Sequence, residues 1–175
     1  GALLLGHGAG GGTDAPDLKE ATAAAKEAGL SVALVDQPYR VAGRRSPAPA
    51  KQLDAAWLAV VAALRDGKLS GLPLIFGGRS SGARVACRTA AEGEAAAVLC
   101  LAFPEHPPGK PEKSRQDELD AAKVPALVVQ GESDPFGMPT ATQTARVVTV
   151  PGNHSLKKDL PAVRAAVADW LATVV

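Results

Sequence analysis

Ser80, Asp134 and His154 are residue types that together can attack a carbonyl, and each stands where such chemistry would need it. In "IFGGRSSGARVA", Gly78, Ser80 and Gly82 fit G-x-S-x-G, with the apolar "LPLIF" before the serine and a helical pattern after it. That context presents a serine hydroxyl on a sharp strand-to-helix turn, and the small neighbours let two chain segments approach. "ALVVQGESDPFG" puts Asp134 just past an apolar run, and "VVTVPGNHSLKKDL" puts His154 just past another. The chemistry such a set could do is acyl transfer. The imidazole takes the serine proton, the oxygen attacks, and the carboxylate fixes the imidazole tautomer. With three histidines in the chain, one falling in the slot after the acid by chance is a weak explanation.

Blander readings of the same residues exist. Ser80 could simply cap the following helix, Asp134 could close a turn with Pro135, and His154 could be an exposed loop imidazole. Glu132 is the rival acid in the Asp134 loop. His106, in "FPEHPP", is the rival histidine, although it precedes the acid.

The glycine-rich "LLLGHGAGGG", residues 3–12, invites two readings. Gly6, Gly8 and Gly11 match a dinucleotide-binding spacing, and Asp36 follows at about the distance of a ribose-binding acid. The helix, however, starts only after "TDAP", so the glycines do not open it. The alternative is a loop whose backbone N–H points at a developing oxyanion, with His7 orienting it by hydrogen bonds. On that reading the oxyanion donors are the N–H of Ser81 and that of Ala9 or Gly8.

The elements that must position these residues alternate along the chain. Strands are expected at 2–5, 31–35, 73–76, 97–102, 126–130 and 147–150, each short, apolar and unalternated, as suits strands covered on both faces. Helices are expected at 16–28, 48–66, 81–91 and 160–173, with weaker ones at 114–121 and 140–145. Leu53, Trp57, Val60, Val61 and Leu64 form an apolar stripe on the second helix, and Val163, Val167, Trp170, Leu171 and Val174 form one on the last. This is an α/β pattern: about six mostly parallel strands, helices on both faces, three layers and no lid. Residues 38–49 and 104–115 are Pro-rich and charged and read as loops. Both follow strand ends, on the edge where open parallel sheets bind ligands.

At 175 residues, 46% of them hydrophobic and 3% aromatic, the chain is expected to form a single domain with a core of Ala, Val and Leu. A formal charge of +1 gives no footprint for nucleic acid or an anionic membrane. Cys87 and Cys100 lie in apolar stretches without metal-ligand spacing and are expected to be free, buried thiols. No run is long enough to span a membrane and no leader precedes the first strand, so a cytoplasmic setting is expected. The start at Gly1, directly before an apolar run, points to missing N-terminal residues. Neither metal nor cofactor is expected, the substrate is expected to be a small acyl compound, and the sequence leaves the oligomeric state open, a monomer being compatible with it. Arg79, Arg40 and Arg44 (with Arg45 beside them) are candidate clamps for a substrate carboxylate or phosphate.

Several blocks carry a family likeness: "GHGAGG", "QPYRVAGRR", "GGRSSGARVA", "LAFPEHPPGKPEKSR", "QGESDPFG" and "GNHSLK". Together they resemble small bacterial α/β-family hydrolases related to a testis-expressed hydrolase-like protein and to the third subunit of the NSL histone acetyltransferase complex. The likeness implies a lidless α/β-hydrolase core whose catalytic Ser, Asp and His are Ser80, Asp134 and His154. Where relatives tend to have Met after the serine and an aromatic after His-Ser, this chain has Ser81 and Leu156. Kinship with subunits of assemblies also raises an alternative, an interaction module that keeps the fold with little or no catalysis.

Overall fold

The computed structural model describes residues 1–175. Its frame is β1 (Ala2–Gly6), β2 (Ser31–Val35), β3 (Leu74–Arg79), β4 (Ala97–Leu101), β5 (Ala126–Gly131) and β6 (Ala145–Val150). They form one sheet in the order β2-β1-β3-β4-β5-β6, with every pair parallel. The four inner strands are apolar and buried nearly throughout, whereas the edge strands β2 and β6 are partly exposed. Covering both faces of the inner strands is what their continuous hydrophobicity requires.

Six helices supply the cover: α1 (Pro16–Glu27), α2 (Pro38–Val41), α3 (Ala50–Asp66), α4 (Ser81–Thr89), α5 (Gln116–Asp120) and α6 (Leu160–Val174). Successive strand residues point to opposite faces, so two cores form. Leu4, Phe76, Val98 and Val128 pack with Leu53, Trp57 and Val61 of α3, Val85 of α4 and Leu119 of α5. Leu3, Leu5, Ile75, Leu99 and Val129 pack with Leu18 and Ala21 of α1 and with Val163, Val167 and Trp170 of α6. Trp57 meets Phe76 edge-on at 5.6 Å, so two of the few aromatic residues anchor the first core. No helix is long and apolar enough to cross a membrane.

Cys87 of α4 and Cys100 of β4 are free and fully buried in the first core, with their sulfurs 3.4 Å apart. The hydrogen bond to Cys87 and burial push the Cys100 thiol well above its usual pKa. Enclosed on every side, both side chains pack as small hydrophobes.

Three expectations fail locally. Residues 140–144 form no helix, and β6 begins at Ala145 instead of Val147. The Thr142 hydroxyl accepts the N–H of Thr144 and of Ala145, while the Thr142 N–H donates to the Ala145 carbonyl. These side-chain bonds compete successfully with helical ones. In the stretch 38–49, read as all loop, Pro38 opens the four-residue α2 at the position where its missing N–H costs nothing. Tyr39 on that turn is buried.

Candidate active site

β3 runs through Gly77 and Gly78 and turns at Ser80 into α4. Ser80 has φ 52° and ψ −111°, a conformation that a residue with a side chain rarely holds. The glycines explain why the turn can be so tight. A Cβ on Gly78 would lie 2.6 Å from the Gly6 carbonyl oxygen, and one on Gly82 would lie 2.6 Å from the Gly6 carbonyl carbon. Neither position admits a side chain, so the end of β1, the end of β3 and the start of α4 meet backbone to backbone. The Ser80 N–H donates to the Leu101 carbonyl at 2.9 Å, locking the turn to β4. The Ser80 side chain makes no capping bond to α4, which removes the reading of this serine as a helix cap.

Its hydroxyl instead lies 2.9 Å from His154 Nε2, and His154 Nδ1 lies 2.8 Å from Asp134 Oδ2. Asp134 sits on the loop after β5 and His154 on the loop after β6, with the Asp134 side chain fully enclosed. Asp134 Oδ1 accepts the Phe136 N–H, and Oδ2 also accepts from Gln130 Nε2 at 2.9 Å. Gln130 is buried, and its amide nitrogen additionally faces the carbonyls of Phe103 and Gly137. Three acceptors around one nitrogen fix which way that amide points. The Phe136 ring stacks on the His154 ring at 4.1 Å, so the imidazole has its plane set as well as its ends.

The rival residues lie elsewhere. Glu132 is exposed. His106 bonds through Nδ1 to its neighbour's carbonyl at Pro107, and its ring packs on the backbone of Gly137.

The glycine loop lies against Ser80: a Cβ on Gly8 would stand 3.4 Å from the Ser80 Cβ. Buried His7 accepts the Gln37 N–H at Nε2, 2.9 Å away, so Nδ1 carries the proton and donates to the Gly8 carbonyl at 2.8 Å. Asp36, 4.0 Å from Nε2 and largely exposed, is therefore a bystander and not an ion-pair partner. Because the peptide is planar and trans, fixing the Gly8 carbonyl fixes the Ala9 N–H on the opposite side. The Tyr39 hydroxyl holds the next carbonyl, that of Ala9, at 3.2 Å. Ala9, Ser80 and Ser81 line one open cavity of about 270 Å³. The Ser81 N–H, in the first turn of α4, has no intrahelical acceptor, and Ser81 lines the cavity. As for dinucleotide binding, α1 starts at Pro16, beyond the glycines, which leaves no helix N-terminus for them to present.

The arginines expected as substrate clamps are placed otherwise. Arg79 Nη2 donates to the His154 carbonyl at 2.8 Å, and its Nε lies 2.9 Å from Oδ2 of Asp17, a fully buried acid in the first turn of α1. Asp17 Oδ1 accepts the Leu18 N–H. The Oδ2 contact lacks hydrogen-bond alignment, so it is an ion pair held by distance alone. Burial raises the Asp17 pKa, and the Arg79 charge works against that rise. Arg79 is thus a brace behind the His154 loop. Arg40, Arg44 and Arg45 line a separate surface depression with Asp36, away from Ser80.

The guanidinium groups that do line the Ser80 cavity are Arg84, Arg88 and Arg115, which sequence reading passed over. A signal for two of them was present. Positions four and eight after the serine fall on one face of a helix that starts there.

This strand order, with side chains gathered from loops at the C-terminal edge, defines an α/β hydrolase. Residues 1–160 match the alpha/beta hydrolase domain family, to which the chain belongs. Among solved structures, the chain is similar to a Xanthomonas campestris protein assigned to the alpha/beta hydrolase superfamily, at 23% identity over 99% of each chain and a TM-score of 0.75. It is similar to Est1E from Butyrivibrio proteoclasticus, solved with ferulic acid, at 20% identity, covering 99% of this chain and 89% of that one with a TM-score of 0.78. A lidless α/β serine hydrolase, also from Xanthomonas campestris, matches at 22% identity over 98% and 81% of the two chains with a TM-score of 0.79. At these identities the likeness is one of fold. No curated protein matches the chain.

Proposed function

We propose that this α/β hydrolase is a serine hydrolase that cleaves small acyl esters or thioesters, kin to the bacterial relatives of the testis-expressed hydrolase-like protein. One observation carries the reading: the unbroken chain from Ser80 Oγ through His154 to Asp134 Oδ2, built on a strained serine. His154 Nε2 takes the Ser80 proton as Oγ bonds to the substrate carbonyl carbon, and the tetrahedral oxyanion is held by the N–H groups of Ala9 and Ser81. The protonated imidazole, kept in place by Asp134, passes its proton to the leaving alkoxide or thiolate. Water then repeats the sequence on the Ser80 ester, releasing the acid and restoring the hydroxyl. No inserted domain covers the cavity, which favours short or exposed acyl groups.

The test is intact mass after incubation with a fluorophosphonate, for the parent and for Ser80→Ala, followed by peptide mapping. A stoichiometric adduct on Ser80, absent from the variant, is expected. Folded parent protein that takes no adduct would overturn the catalytic reading in favour of an interaction module.

A further inference from the structure

We infer that the cavity beside Ser80 selects acyl groups that end in a carboxylate, with Arg115 as the residue that receives it. This rests on the serine hydrolase reading of the site and names its substrate class.

Every charged side chain lining the cavity is a guanidinium: Arg84, Arg88 and Arg115. Two of them are held from behind. Arg84 makes a two-pronged contact with Glu118, with both bonds at 2.7 Å, and Arg88 makes one with Asp54 at 2.8 and 2.6 Å. Arg88 also reaches Glu118 at 3.4 Å. These carboxylates fix the two arginines without themselves lining the cavity.

Arg115 differs. Its one side-chain hydrogen bond runs from Nη1 to the Pro104 carbonyl at 3.1 Å, and no carboxylate makes ion-pair contact with it. Glu105 and Glu118 act on it only at longer range, while Arg84 and Arg88 repel it; burial and Arg84 push its pKa down. A guanidinium carries five N–H donors in a rigid fork, so Arg115 is left tethered, charged and largely unbonded on the wall of a serine's pocket. A ligand carboxylate would take its free donors and offset the repulsion from Arg84. The open cavity, about 270 Å³ in volume, is lined by both Ser80 and Arg115. It suits a short dicarboxylic acyl group with one end esterified at Ser80 and the other against Arg115.

The experiment compares kcat/KM for 4-nitrophenyl hydrogen adipate with that for 4-nitrophenyl hexanoate in the parent, Arg115→Gln and Arg115→Lys. In parallel, binding of monomethyl adipate to Ser80→Ala is measured by calorimetry at low and high salt. The parent is expected to favour the anionic ester about tenfold or more. Arg115→Gln should lower that ratio by a similar factor, Arg115→Lys should restore part of it, and salt should weaken binding to Ser80→Ala. A parent without preference for the anionic ester, or a ratio unmoved by Arg115→Gln, overturns the inference while hexanoate turnover leaves the hydrolase reading intact. If neither ester is hydrolysed and no fluorophosphonate adduct forms, the hydrolase reading fails. The calorimetry then judges the carboxylate site alone, and absence of binding refutes it.

Discussion

Replacing Arg79 by methionine isolates the brace behind the His154 loop. In the parent, the fully buried Asp17 carboxylate faces the Arg79 guanidinium, itself 19% exposed. Methionine fills much the same space and leaves a buried acid with only the Leu18 N–H. Breaking one side of a buried pair costs about 3–5 kcal/mol. The lower end, about 3 kcal/mol, applies here, because the Oδ2 contact is unaligned and Asp17 can escape by protonation. For a chain of this length that corresponds to a Tm loss of about 6–12 °C.

The pH dependence follows from the raised pKa of Asp17, which Arg79 now partly restrains. Between the unfolded value of 3.8 and the folded one, the native state holds more protons than the unfolded state, so stability falls as pH rises. Removing Arg79 widens that window upward. The penalty should therefore be larger at pH 8 than at pH 5, read by urea unfolding of parent and variant at both. Adding Asp17→Asn should recover most of the loss. A penalty below about 1 kcal/mol, one equal at both pH values, or no recovery in the double variant would refute the reasoning.

Two further outcomes are expected. Ser80→Gly should remove fluorophosphonate labelling yet raise stability by about 1 kcal/mol, because glycine adopts the φ 52° turn without strain; an unchanged or lower Tm counts against strain at the elbow. His7→Ala frees the Gly8–Ala9 peptide and should lower kcat by about ten- to a hundredfold with a smaller change in KM, a loss below that of a whole oxyanion donor. Equal effects on kcat and KM would argue that the loop only binds substrate.

What could be read from the residues was whatever local chemistry dictates. The elbow was legible because Gly78, Ser80 and Gly82 are close in sequence and the short, unalternated apolar run before them suits a buried strand. Asp134 and His154 were legible from their order and their place after strands. The role of Arg79 was hidden, since its partners are Asp17 on the first helix and a backbone carbonyl at His154, neither marked by any spacing. Arg115 is singled out only by the carboxylates it lacks, which no linear pattern displays. The helix expected at 140–145 fails because no linear pattern marks a Thr142 hydroxyl that closes a turn first.

The bond between Ser80 and His154 joins residues 74 apart, and β1 pairs with β3 across a similar span. Contacts so distant along the chain form late and slowly, after local helices and turns. During refolding, recovery of the fluorophosphonate-reactive serine should lag behind recovery of helical signal. The labelling reaction then doubles as a clock for the docking of the loop after β6, which carries His154, against the turn at Ser80.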